Sequence, residues 1–203
     1  MELYLKIFLI IIACAIIGSI IGNANAEDYF PIIGVWDHKP YVCLTVKDNL
    51  HEVFKALDDW ENKLRIYTAS TNFDYALYKG YKPECDIIIH ESLNATGIYG
   101  ITNCSTSFNK LTHCTINIVT NVPQFYRADT FKHELGHALG LGHRQVDNLA
   151  AFPALVIQDD IMLRQASPHD KITKADLDAL LFIYGADGYQ LPNNYNKTYS
   201  PKH

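Results

Sequence analysis

Apolar residues recur along the chain with different spacings, and each spacing predicts an element. Pro40-Tyr41-Val42-Cys43-Leu44-Thr45-Val46 is β-branched and apolar, which predicts a strand. Leu50, Val53, Phe54, Leu57, Trp60 and Leu64 recur three or four apart with charges between them, which predicts an amphipathic helix. Ile66 to Phe73 is a weaker pattern and reads as a second strand, followed by a turn at Lys79-Gly80-Tyr81-Lys82-Pro83. Asp86-Ile87-Ile88-Ile89-His90 is a short apolar run suited to a buried strand. Gly97 to Ile101 and Cys114 to Val119 read as two further strands, and Ile116 and Ile118 alternate with polar neighbours. A long helix is expected from about Pro123, ending at Gly140 and Gly142. Residues 144–172 lack a period and read as loop. Thr173-Lys174-Ala175-Asp176 resembles a capping box with Asp in the last position. It opens a helix through Leu177, Leu180, Leu181 and Ile183 to Tyr184-Gly185. The order strand, helix, strands, helix, loop, helix makes one α+β domain over 27–185. Residues 186–203 are polar, rich in Asn, Tyr, Pro and Lys, and are expected to form a flexible C-terminal tail.

The N-terminus stands outside this pattern. Ile7 to Ile21 is apolar or small throughout, and Ala24-Asn25-Ala26 follows with small residues where a signal peptidase reads. Residues 1–26 are therefore expected to be a secretory signal peptide, with Glu27 as the mature start and a secreted, extracellular product. An uncleaved membrane anchor is the competing reading, although the run is short for a span of about 20 residues. Export changes the cysteine arithmetic. Removing Cys14 leaves Cys43, Cys85, Cys104 and Cys114, an even number with three connectivities. Their spacing favours Cys104–Cys114 as a local staple and Cys43–Cys85 as a longer link; four free thiols is the alternative if the chain is not exported.

Composition narrows the function classes. Of 203 residues, 48% are hydrophobic, enough for a substantial core. The net charge of −5 and the lack of a basic cluster give no footprint for nucleic acid. No phosphate loop or Gly-x-Ser-x-Gly is present. Asp37-His38 is an adjacent pair on a loop, expected to point apart. His90 and His113 are extra histidines near strand ends, read first as ordinary polar positions and second as ligands of another metal.

Residues 133–143 read His-Glu-Leu-Gly-His-Ala-Leu-Gly-Leu-Gly-His. His133 and His137 are four apart on a helix, so both imidazoles leave one face and can reach a single ion. Glu134, next to the first ligand, can reach a metal-bound water as general base without being a ligand itself. A catalytic zinc usually takes three protein ligands and one open position. His143 is the third, but a continuing helix would not present it. The chain must turn, and Gly140 can take the positive φ such a turn needs. The constellation predicts one catalytic Zn2+; a Ca2+ or a further structural Zn2+ has no residues assigned to it.

His133 to His143 satisfies His-Glu-x-x-His-x-x-Gly-x-x-His at every position, and so resembles the metzincin metallopeptidases. The resemblance implies a single zincin-like domain, a twisted mixed sheet of about five strands packed with about three helices. It implies a methionine turn beneath the zinc, for which Met162 in Asp160-Ile161-Met162-Leu163 is the candidate. Within the clan the chain looks most like the matrixins, on the helix closing at Tyr184-Gly185 and on Arg164 where astacins and serralysins place tyrosine. The implied activity is zinc-dependent endopeptidase cleavage of extended protein segments by zinc-activated water, with a strand edge from 95–101 or 114–119 pairing with substrate and 163–169 walling a pocket. Partners are then a protein or peptide substrate, no nucleic acid and no membrane unless the N-terminal segment is kept, with the enzyme a monomer. The alternative is a non-catalytic exported zinc-binding or surface interaction protein on the same scaffold.

Overall fold

A computed structural model describes residues 28–47, 50–69, 73, 76–79, 82–92, 99–146, 160–163, 171–185, 188–189 and 198–199. The expected signal peptide lies outside these residues, as does most of 144–172. The main sheet has five strands in the order β3-β2-β4-β6-β5: β2 Tyr41–Leu44, β3 Ala76–Lys79, β4 Ile87–Ser92, β5 Gly100–Ser107 and β6 Lys110–Val119. The first four are mutually parallel and β5 is antiparallel to β6, so the sheet is mixed. The apolar run Ile87, Ile88, Ile89 is buried on both faces, as a central parallel strand requires. Helix α1, Leu50–Thr68, makes the crossover from β2 to β3 and buries Val53, Ala56, Leu57, Trp60 and Leu64, the face its spacing predicted.

The chain departs from expectation at Ile66 to Phe73. Ile66 is not a strand residue; α1 runs on through Thr68, and Ile66 is 80% exposed on its outer face. The hairpin at Phe108–Asn109 also extends further than expected. Both turn residues take positive φ, and β5 pairs with β6 from Gly100↔Ile118 to Ser107↔Lys110. Cys104 faces Cys114 directly across this ladder and the two form a disulfide. The other disulfide joins Cys43 on β2 to Cys85 just before β4.

Helix α2, Gln124–Ala138, packs on α1, with the Trp60 indole donating to the Lys132 carbonyl at 2.9 Å. Its last carbonyls, unpaired within any helix, are satisfied from elsewhere. Trp36 Nε1 donates to Ala138 O at 2.8 Å and Tyr184 Oη to Leu139 O at 2.8 Å. Helix α3, Lys174–Tyr184, begins with the capping box at Thr173 and Asp176 and ends at Gly185 with φ +68°. A second, small sheet has the order β7-β1-β8: β1 Asp28–Pro31, β7 Gln145–Val146 and β8 Thr198–Tyr199. Two parts of the expected tail are thus packed. Thr198–Tyr199 pair with β1, and Tyr189 is buried among the rings of Phe73 and Tyr184. Aromatic residues among the polar ones supply the apolar area that a mobile tail would lack.

Candidate metal centre

The last two turns of α2 carry His133, Glu134 and His137, all at the floor where α2 meets β5 and the 160–163 segment. The helix ends at Ala138, and Gly140 turns the chain with φ +105°. Nothing but glycine fits there, because a Cβ would lie 2.2 Å from the Gly34 carbonyl oxygen. Ile33 N donates to Gly140 O at 2.8 Å, and the bridge Ile32↔Leu141 holds the next residue. The turned chain delivers His143 back to the helix: His133 Nε2 is 3.2 Å from His143 Nε2 and 3.1 Å from His137 Nε2. The three histidines each present one ligand atom, all within 4.8 Å of one another.

The chemistry of this donor set decides what it fits. His133 Nδ1 is 2.5 Å from Ile161 O and His137 Nδ1 is 2.8 Å from Leu141 O. A carbonyl only accepts, so both Nδ1 atoms carry the proton. Burial lowers the His133 pKa, and burial, followed by repulsion from any proton on His133, pushes His137 down to about 3, so the neutral form of both rings is favoured. Their Nε2 atoms are therefore both acceptors, facing each other at close range with no proton to share. A cation resolves that repulsion, and three neutral imidazoles are a ligand set suited to zinc.

Glu134 is buried beside this cluster. Burial raises its carboxyl to about 7, held back by a hydrogen bond from Thr102. Met162 lies fully buried under the helix, so close to Gly136 that a Cβ there would meet its Sδ at 2.3 Å. The 160–163 segment is fixed by one carboxylate. Asp160, itself fully buried, accepts from Met162 N at 2.9 Å and Thr173 Oγ1 at 2.9 Å and pairs with the Arg144 guanidinium. Arg144 N in turn donates to Met162 O at 2.8 Å, tying the residue after His143 to the methionine segment. Burial and then the charge of Asp160 push Asp176 well above the usual carboxylate range.

His133, Glu134, His137, Gly140, His143 and Met162 are thus brought together. His90 and His113 are not: His90 Nδ1 is 2.6 Å from Thr45 Oγ1, and His113 lies 3.3 Å from Cys85 O and 3.2 Å from Thr115 Oγ1. Contrary to expectation, Asp37 and His38 do not point apart. His38 bridges Asp37 at 2.8 Å and Asp86 at 3.1 Å, because Asp86 also accepts from Tyr41 N and draws the loop in. Of the two segments expected at a free strand edge, 114–119 is interior, between β4 and β5; on that side the terminal strand among the described residues is β5. Of the expected wall 163–169, only Leu163 is among the described residues. Sequence reasoning did not find Thr102, Gly136, Arg144 or Asp160 as parts of the site. Asp160 and Gly136 sat inside motifs already recognised, so position alone was a usable signal for them.

The three histidines and the turn that delivers the third fit the pattern by which the sequence resembles the metzincin metallopeptidases. A family model described as Metallo-peptidase family M12B Reprolysin-like matches residues 59–144, from α1 through the third histidine. No curated protein matches the chain. The match supports zinc-dependent peptidase activity and protein or peptide substrates in general.

Proposed function

We propose that the chain is a secreted zinc endopeptidase cleaving extended protein segments, with His133, His137 and His143 as metal ligands and Glu134 as general base. The observation that carries this reading is the convergence of neutral Nε2 acceptors beside a buried carboxylate. Among the described residues three side chains make up the cluster, the number a catalytic zinc takes while keeping a position open. When bound, zinc supplies Lewis acidity for attack of water on a peptide carbonyl. The chain's own residues do the rest. The Ile161 and Leu141 carbonyls hold the first two imidazoles in the correct tautomer. Glu134 takes a proton from the attacking water and returns it to the leaving amine. Met162 packs beneath the helix and fixes the floor, and Gly140 places His143. Among the described residues β5 is an edge strand of the main sheet, and an extended substrate would pair along that edge.

Export is supported by the two disulfides and by the Ala24-Asn25-Ala26 pattern after an apolar run. Among the described residues no helix is long and apolar enough to cross a membrane. The catalytic domain spans 27–185 with contributions from Tyr189 and β8, and acts as a monomer. The family match rests on 59–144; a matrixin-like placement rests on features beyond it, the Tyr184-Gly185 close of α3 and Arg164. The test uses the mature protein and a denatured protein substrate. Cleavage should require zinc, stop with a chelator, and fall by about 100-fold or more in Glu134→Gln with zinc content unchanged. Full activity in Glu134→Gln, or a zinc-loaded folded protein that cleaves nothing in a broad peptide library, sinks the reading.

A further inference from the structure

Strand β5 does more than present an edge. Gly100, Thr102 and Cys104 alternate with the exposed Ile101 and so share the face turned toward α2. Two of these residues close around one side chain. Thr102 Oγ1 donates to Glu134 Oε2 at 2.7 Å and lies 3.0 Å from the Glu134 carbonyl oxygen. The hydroxyl has one proton, and the carboxylate oxygen is the nearer of the two acceptors. At Gly100 the absence of a side chain makes room, since a Cβ would lie 2.8 Å from Glu134 Cγ and 2.9 Å from Oε1. Oε1 accepts no hydrogen bond among the described residues and lies on the side of the carboxylate that faces Gly100. Two residues along the same face, the Cys104–Cys114 disulfide fixes the strand's register against β6.

We propose that Thr102 is a positioning residue for catalysis: it anchors Glu134 by one oxygen against the edge strand so that the other is presented to the cleft. The inference rests on Glu134 being the general base. A glutamate has three rotatable bonds, and a free carboxylate in this space would divide its time among rotamers that miss the reacting water. A general base contributes only within hydrogen-bond reach of its proton, and a displacement of about an ångström can cost about 100-fold. Thr102 removes that freedom without being near the metal ligands' own hydrogen bonds, which go to Ile161 and Leu141.

The experiment compares wild type, Thr102→Val, Thr102→Ser and Glu134→Gln as mature, zinc-loaded proteins on one fluorogenic peptide. Thr102→Val keeps the shape and β-branching and removes the donor. We expect kcat to fall about 10- to 100-fold with KM within about twofold, since binding is untouched and only proton transfer suffers. Thr102→Ser should recover to within about threefold of wild type, because it restores the hydroxyl. Zinc content and melting temperature should match wild type in both. Crystals of metal-free Thr102→Val should show the Glu134 carboxylate in more than one rotamer. If Thr102→Val does not fold, Thr102→Ala against Thr102→Ser makes the same comparison. Wild-type kcat in the variant lacking the hydroxyl, or a loss matched by lost zinc or lowered melting, overturns the positioning role. An active Glu134→Gln overturns the proposed function itself, so the two failures are told apart.

Discussion

Replacing Gly136 by alanine sets two effects of similar size against each other. Gly136 lies inside α2, where alanine is favoured over glycine by about 1 kcal/mol. Opposing this, the new methyl would sit 2.3 Å from Met162 Sδ, while carbon contacts settle near about 3.5–4.0 Å. Methionine is the most adaptable of core side chains. Here, however, it is fully buried, and Trp60 Cζ2 lies only 3.2 Å from the same methyl position, so the space is closed on two sides. Overpacking of this kind costs about 1–3 kcal/mol. The clash therefore wins by about 1 kcal/mol, or roughly 2–4 °C in Tm for a chain of this size. A double-mutant cycle sharpens the expectation. Met162→Ala alone should cost about 2–5 kcal/mol by leaving a cavity. Adding Gly136→Ala to it should cost nothing or restore up to about 1 kcal/mol, giving a coupling of about 1–2 kcal/mol. Urea unfolding of the metal-free proteins reads all four corners. Zinc titration should show about 10-fold weaker binding in Gly136→Ala, because moving Met162 shifts Ile161, whose carbonyl orients His133. Equal destabilisation by Gly136→Ala in both backgrounds would refute the steric account.

Two further outcomes follow from the charges. Asp160→Asn takes the negative charge from the buried Arg144 guanidinium and should cost about 3–5 kcal/mol in urea unfolding; a loss below about 1 kcal/mol would show that the pair is not the tie holding the 160–163 segment. The exposed His38 cluster should give a small pH-dependent contribution, below about 1 kcal/mol and weakened by salt. Burial lowers the His38 pKa, but hydrogen bonds to Asp37 and Asp86 outweigh it and leave it raised, while hydrogen bonds from His38 and then Lys110 hold Asp37 down at about 2. His38 thus stabilises fully below about 6.5 and loses its contribution as pH rises through the higher folded value; Asp37 stabilises above about 4 and loses it toward pH 2. The Tm difference between wild type and His38→Asn should be largest near pH 5–6 and shrink toward pH 9, and a difference constant across that range would contradict it.

Helices were read from the sequence more faithfully than strands, for physical reasons. The face of α1 and the ligand pair on α2 follow the helical repeat, which local spacing records. The turn at Gly140 was legible because a third ligand six residues after the second forces one. Strand β4 announced itself by burial on both faces. Strand β5 did not: Gly100 to Ser107 is mostly small and polar, since one face is open and the other is filled by Glu134, a disulfide and a hydroxyl rather than by apolar bulk. Ile66 misled because apolar residues are allowed on an exposed helix face. Strands β1, β7 and β8, four residues or fewer, carry no period at all. Thr102 was invisible because its partner is far away in sequence and reached only by tertiary packing.

The small sheet has a consequence for how the centre comes into being. One helix delivers His133, Glu134 and His137 together, through contacts local in sequence. His143 arrives differently. Its approach is set by Ile33 on Gly140, Pro31 on Gly142 and Asp28 opposite Val146, all pairings across most of the chain. Such long closures form late in folding. A metal ion that needs all three ligands would therefore be held only once β1 has closed on the segment that follows the zinc-ligand helix, and its capture would report that closure.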